Sequence, residues 1–240
     1  MVGSELKTGA RELMFARAPR LFIVSLVFVI IVTVTSELQF RLSGVSGMYA
    51  LYMERVAAGE PHSARLLLSF LKPIGLFLVA LLWLLGWVIQ VGFMSYCLKT
   101  SRSLDSGCKD ILNGFLFARK ALAILITSSI LVALWSLLLF FPGVAAHYRY
   151  RQAYYILLDD PKKGALQCIR ESKLLMAGNK LDLFLIDLSF LGWHALSAAV
   201  SLLLSYIVPF PLPLVSVWLS PYIGLVRAAY YDGLLAGAST

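Results

Sequence analysis

Residues Ala121–Tyr148, ALAILITSSILVALWSLLLFFPGVAAHY, contain no Asp, Glu, Lys or Arg. A helix needs about 20 apolar residues to cross the hydrocarbon of a bilayer, and this stretch is longer than that. Pro73–Leu98 and Leu188–Val226 are equally free of charge. Over the whole chain 60% of residues are hydrophobic and 14% charged, and the mean hydropathy is +0.81. A soluble domain has about 45–50% apolar and 25% charged residues, and a soluble fold of this length cannot hide the excess. The sequence predicts an all-α, polytopic transmembrane helical bundle.

Breaker residues divide the apolar runs into six crossings, at 20–38, 72–98, 121–141, 143–158, 181–207 and 212–232. Within the opening stretch Pro142 and Gly143 turn the chain. The fourth crossing then begins and carries His147, Arg149 and Arg151, before DDPKKGALQCIRESKLLMAGNK returns it to water. The first crossing, although it follows Lys7, Arg11, Arg17 and Arg20, precedes several more, so it reads as an uncleaved span. Lys and Arg number four before the first span, five from Lys99 to Lys120 and five from Lys162 to Lys180. The positive-inside rule places these segments, and both termini, in the cytoplasm. The opposite side receives the Gln39–Leu71 loop and the uncharged turns FPG and PFPLP.

A net charge of +8 raises the question of nucleic acid. The basic residues sit in short segments beside spans, however, without interleaved aromatics on one face, which predicts no nucleic-acid partner. Cys97, Cys108 and Cys168 are odd in number and unpaired in spacing, so they read as reduced structural residues.

The boundary segments repeat. Met14-Phe15-Ala16-Arg17, Leu116-Phe117-Ala118-Arg119 and Leu175-Met176-Ala177-Gly178 each lead into an odd-numbered span. Each follows an amphipathic stretch, SELKTGARELMF, LDSGCKDILNGF or PKKGALQCIRESKLLM, with Ser4, Ser106 and Asp160 as candidate caps. These stretches read as helices in the inner headgroup layer. The fourth and sixth spans share Arg151-Gln-Ala-Tyr-Tyr and Arg227-Ala-Ala-Tyr-Tyr, with a fainter Gly92-Phe-Met-Ser-Tyr in the second. One transmembrane domain, 1–240, built of units 1–98, 99–158 and 159–240, accounts for this, and such repeats are common in transporters. Inner-leaflet boundaries also resemble one another because aromatics and Arg gather there.

Arg151, Asp187 and Arg227 each lie several residues inside a cytoplasmic boundary. At 1.5 Å per residue their depths agree, about 8–10 Å. A lone charge at mid-helix costs roughly 2.5–3.5 kcal/mol, and less near the edge, so Asp187 is expected to pair with Arg151 or Arg227. Snorkelling to phosphate is the competing reading, and it serves Arg149 equally well. His147 shares a face with Arg151 above Tyr154 and Tyr155, and His194 follows Asp187 by two turns. Each histidine reads first as a satisfied bundle residue and second as part of a cavity lining. Tyr230 and Tyr231 complete the candidate intramembrane polar network.

Catalytic patterns fail on context. Gly44-Val45-Ser46-Gly47 has the GxSG string of intramembrane serine proteases, but it lies in a loop, where Gly and Ser form turns. Asp159-Asp160-Pro161 reads as a helix cap. No metal-spaced Cys/His set and no phosphate-binding glycine loop occurs, so neither cofactor nor metal is expected. Pro221 frees a carbonyl in the sixth span, as in the broken helices of some transporters.

Through FPGVAAHYRYRQAYYILLDDP, IRESKLLMAGNK and LDLFLIDLSFLGW the chain resembles a bacterial family of integral membrane proteins known as domain-of-unknown-function family 975. SELKTGARELM and the YCLKTSRSLDSGCKDILNGF region agree more weakly. The resemblance covers most of the chain apart from Gln39–Leu71, and the proline-rich approach to the sixth span departs from it. It implies a bacterial polytopic membrane protein and brings no activity, substrate or catalytic residue. The expectation is a non-catalytic protein of the bacterial inner membrane that handles or senses a membrane-associated solute, lipid or peptide, with membrane lipids as partners. A scaffold or accessory subunit docking another membrane protein is the alternative.

Overall fold

The computed structural model describes residues 3–58, 73–206 and 213–238, and all regular structure among them is helical. Helices run α1 (Gly3–Ala16), α2 (Ala18–Leu42), α3 (Val45–Ala58), α4 (Pro73–Ser101), α5 (Lys109–Leu138), α6 (Phe140–Tyr150), α7 (Ala153–Asp159), α8 (Ala165–Leu175), α9 (Lys180–Ser205) and α10 (Leu214–Ala238). Four of them, α2, α4, α5 and α9, are long and apolar enough to cross a membrane. Their apolar side chains point outward in numbers no water-soluble monomer tolerates. Ile74, Leu137 and Leu138, for example, are 75%, 86% and 72% exposed. α10 is as long as α2, but Pro221, Arg227 and several Tyr and Ser dilute its hydropathy. Most of the PFPLP turn, residues 59–71 of the expected loop and Lys72 lie outside the described residues.

Ile30–Trp87 forms one compact unit. Within it Gly44, at φ +76°, turns the chain after α2, and the Ser43 hydroxyl accepts the Val45 N–H at 3.2 Å. The expected loop is therefore helical as far as Ala58, and Gly44 of the GxSG string is a turn residue. Glu37 and Arg41 pair at 2.8 Å one turn apart, which satisfies a boundary charge locally.

The other unit comprises Met1–Val29 and Val88–Thr240. Two antiparallel hairpins organise it. In the first, the chain reverses at Leu139, whose extended backbone (φ −161°, ψ 149°) ends α5. Pro142 follows in the first turn of α6, where a missing N–H costs nothing. Gly143 packs on Ser136: a Cβ there would lie 2.1 Å from the Ser136 hydroxyl. The second hairpin pairs α9 with α10 through Ser197 and Ser216, Trp193 and Trp218, and Phe190 and Tyr222. α10 continues unbroken through Pro221.

Three boundary details differ from the sequence expectation. The amphipathic LDSGCKDILNGF stretch is no separate helix, because Lys109–Leu138 is continuous. Ala118-Arg119-Lys120-Ala121 contains only good helix formers, whereas Gly178 at φ +84° separates α8 from α9. α1 is a separate helix, and its stripe of Leu6, Ala10 and Met14 is buried against α10. Lys7 Nζ also reaches Ser189 Oγ at 2.6 Å. Finally, the fourth expected span is two helices, α6 and α7, interrupted at Arg151–Gln152. The candidate caps also move: Ser4 lies inside α1, Cys108 precedes α5, and Gly164 precedes α8.

Candidate functional site

The first half of the site is built where α6, α9 and α10 meet. Asp187, on the inner face of α9, accepts Arg151 Nη1 on one carboxylate oxygen and Arg227 Nη2, at 3.0 Å, on the other. The three side chains are 14%, 21% and 30% exposed in that order. The two Arg-x-x-Tyr-Tyr motifs converge on this carboxylate, and their second tyrosines, Tyr155 and Tyr231, stack at 5.3 Å with planes 20° apart. Arg151 also lies over the Tyr148 ring at 5.7 Å. One carboxylate faces two guanidiniums, so the cluster keeps one uncompensated positive charge. Gln152, in the break between α6 and α7, is 2% exposed, and its Oε1 has no hydrogen-bond partner among the described residues.

Beside Arg151 a cleft of about 320 Å³ opens between α5 and the α6–α7 strand of the hairpin. It is lined by the polar His147, Arg151, Tyr154, Ser128 and Ser129 together with the apolar Leu125, Val132 and Ala133. The Ser128 hydroxyl donates to the Leu125 carbonyl at 3.2 Å. His147 is exposed and meets the Tyr148 ring edge-on at 5.5 Å.

The remaining candidates lie elsewhere. Arg149 sits over the Trp135 ring at 5.9 Å, and its carbonyl accepts the Ser172 hydroxyl at 2.8 Å. That contact ties it to α5 and α8 and leaves it out of the Asp187 cluster. Tyr230 donates to the Asn179 carbonyl at 2.7 Å, which fastens α10 to the start of α9. His194 is on the exposed side of α9, with no hydrogen bond or ring contact among the described residues. Cys97, Cys108 and Cys168 are free thiols. No group of three or more His, Cys, Asp or Glu that could hold a metal occurs among the described residues.

A second cluster was not legible as such in the sequence. Arg102, just past α4, donates to both Asp159 at the end of α7 and Asp232 on α10, the latter at 2.7 Å. Tyr231 completes it by donating to Asp159 at 3.1 Å. Asp159 therefore pairs across the fold and caps no helix, while Asp160 accepts the Lys162 N–H at 3.1 Å in the following turn.

Residues 20–238 match the family described as "Protein of unknown function (DUF975)". The chain belongs to that family. No curated protein and no solved structure matches it. The family match spans both Arg-x-x-Tyr-Tyr motifs, Asp187 and the Arg102 cluster.

Burial opposes the charged form of Asp159, but the hydrogen bonds and charge of Arg102 and the Tyr231 hydroxyl outweigh it and hold its pKa below the ordinary carboxylate value. A carboxyl with a lowered folded-state pKa stabilises the fold above its unfolded value and loses that contribution as pH falls through the folded one. Arg102→Gln is therefore expected to lower the thermal midpoint at pH 7. The difference from wild type should shrink as pH drops below the ordinary carboxylate range. These groups are roughly 30% exposed, so the effect is about 1 kcal/mol. A midpoint difference unchanged between neutral and strongly acidic buffer would show that Asp159 contributes no charge-dependent stability.

Proposed function

We propose that this protein is a six-span component of the bacterial inner membrane, both termini cytoplasmic, that holds or senses an anionic amphiphile and performs no catalysis. The observation that carries the reading is the charge count at Asp187. A carboxylate shared by two arginines leaves a positive charge, and Arg151 brings it to a cleft lined by both polar and apolar side chains. An anionic headgroup pairs with Arg151 there and its chain lies over Leu125, Val132 and Ala133. Ligand sites of this kind are concave and mostly apolar, with a few orienting polar groups.

Two features support six crossings. Along the first hairpin, Gly143 meets Ser136, Tyr154 and Ser128 line one cleft and Lys120 reaches the Pro161 carbonyl, so α6 and α7 together retrace α5 from Leu138 to Lys120. In the second, α10 retraces α9 from Ser197 down to Asp187. Duplication is supported by the paired motifs: equivalent arginines share one carboxylate and equivalent tyrosines stack. The basic residues at the ends of these hairpins support the cytoplasmic placement of the termini.

The test uses the purified protein in dodecylmaltoside. Dodecyl phosphate is expected to raise its thermal midpoint and dodecyltrimethylammonium is not, and Arg151→Gln removes the response. No shift with either amphiphile, or a shift that survives Arg151→Gln, would rule out this cleft.

A second reading, a scaffold or accessory subunit, draws on α3, where Tyr49 is 62% exposed beside the exposed Met53 and Val56. Stoichiometric co-purification of another membrane protein, lost on Tyr49→Ser, would favour it.

A further inference from the structure

A pocket unconnected with Asp187 lies between the α1–α2 junction and the segment that follows α4. It encloses about 500 Å³ and is lined by Arg17, Arg20, Tyr96, Ser103, Asp105 and Ser106, among others. Arg17 Nη1 donates to the Leu104 carbonyl at 3.1 Å, which fixes the guanidinium at the pocket wall. A guanidinium carries five N–H donors, and the Arg17 side chain makes no other hydrogen bond or ion pair among the described residues. The side chains of Arg20 and Asp105 make none among the described residues. The pocket thus holds two cations and one anion, with most donor capacity unspent.

Its place in the fold specifies the ligand. Arg17 precedes the first residue of α2, and Arg102–Ser106 follow the last residue of α4. Both helices are apolar and long enough to span, so their shared end falls at the depth of phospholipid phosphates. On α2 the exposed Ile23 and Val27 continue from Arg20 along one helical face, at three- and four-residue intervals. We propose that this pocket binds the phosphate headgroup of an anionic phospholipid, its phosphate oxygens on Arg17 and Arg20, Ser103 and Ser106 on the glycerol side, and acyl chains along Ile23 and Val27. The net positive charge selects anionic over zwitterionic headgroups, as basic pockets at the inner leaflet do.

Native mass spectrometry of the full chain in dodecylmaltoside, offered equal amounts of phosphatidylglycerol and phosphatidylcholine, tests this. Each arginine near the surface contributes about a five-fold preference, so retained phosphatidylglycerol should exceed phosphatidylcholine by roughly ten-fold or more. Arg20→Gln, at an exposed side chain, should cut that preference about five-fold, and Arg17→Gln with Arg20→Gln should abolish it. The comparison is made in an Arg151→Gln background, so that phosphatidylglycerol held by the cleft beside Asp187 does not enter the count and failure here is distinguishable from failure there. A wild type without preference, or a preference that survives the double substitution, overturns the proposal. Displacement of phosphatidylglycerol by millimolar sodium phosphate would assign the pocket to free phosphate and overturn the lipid.

Discussion

Asp187→Ala is expected to remove most of the folded protein from a detergent extract. Fluorescence-detected size exclusion should show a collapsed monodisperse peak, and the thermal midpoint of what remains should fall. The substitution leaves two guanidiniums, 21% and 30% exposed, without their shared counter-ion. Removing one partner of a buried pair costs about 3–5 kcal/mol, and the partial solvent access of both arginines places this case near the lower figure. Asp187→Asn keeps an acceptor and the side-chain shape but not the charge, so it should be intermediate. The informative comparison is the triple variant Asp187→Leu, Arg151→Met, Arg227→Met. Apolar replacement of a whole buried ion set is often neutral or stabilising, so the triple variant should recover the folded peak. It should not recover the response to dodecyl phosphate. A triple variant that folds and still responds would detach the ligand reading from this cluster, whereas a well-folded Asp187→Ala would show that the arginines satisfy themselves by snorkelling.

The parts of this fold that sequence reveals are those governed by a single strong constraint. Bilayer hydrocarbon excludes charge, so charge-free runs mark the middle of α2, α4, α5 and α9, and only for α4 does such a run come close to both ends. The same constraint makes an internal Asp conspicuous, and rise per residue then brings Asp187 to the depth of Arg151 and Arg227. What it does not fix is that the carboxylate serves both arginines, because depth says nothing of rotation about the helix axis. His194 illustrates the gap. Seven residues beyond Asp187 it shares a face to within about 20°, yet it is exposed, because a shared face does not guarantee a neighbour at every depth.

The boundary regions were less legible because water, protein and headgroups all satisfy a charge there. Asp159 and Asp232 lie 57 and 130 residues from Arg102, and each looks like an ordinary boundary residue on its own. Their one sequence signal was Tyr231, the second tyrosine of a repeated motif, whose hydroxyl needs a partner when its ring is buried. The break at Arg151–Gln152 likewise has no Gly or Pro to announce it. The opposite error occurred at Pro142–Gly143, where breaker residues drew attention and the reversal falls at Leu139. Proline is at home in a first helical turn, so its presence dates the start of a helix better than the end of the one before.

The largest effect outside the ionic cluster should come from two glycines inside helices. Gly92 on α4 and Gly114 on α5 sit where the two helices cross. A Cβ on Gly92 would lie 1.8 Å from the Ile111 carbonyl oxygen, and one on Gly114 would lie 2.0 Å from the Val88 carbonyl oxygen. Both obstacles are backbone, so no rotamer change relieves them and the helices must separate. Small residues allow such close approach in membranes, where helix association rests on packing. Gly92→Leu and Gly114→Leu should each cost more than the roughly 1–3 kcal/mol of ordinary overpacking and leave no folded peak, while Gly92→Ala should already lower the thermal midpoint measurably. Gly9 and Gly237 are helical glycines with nothing within 4 Å of the added Cβ. Gly9→Ala and Gly237→Ala should therefore be neutral or stabilise by up to about 1 kcal/mol, through helix propensity alone. Measured side by side in one detergent, the two pairs separate close packing from propensity. Equal tolerance of alanine at Gly92 and Gly9 would mean that α4 and α5 do not cross backbone to backbone, and the placement of Arg102 at the end of α4 would lose its support.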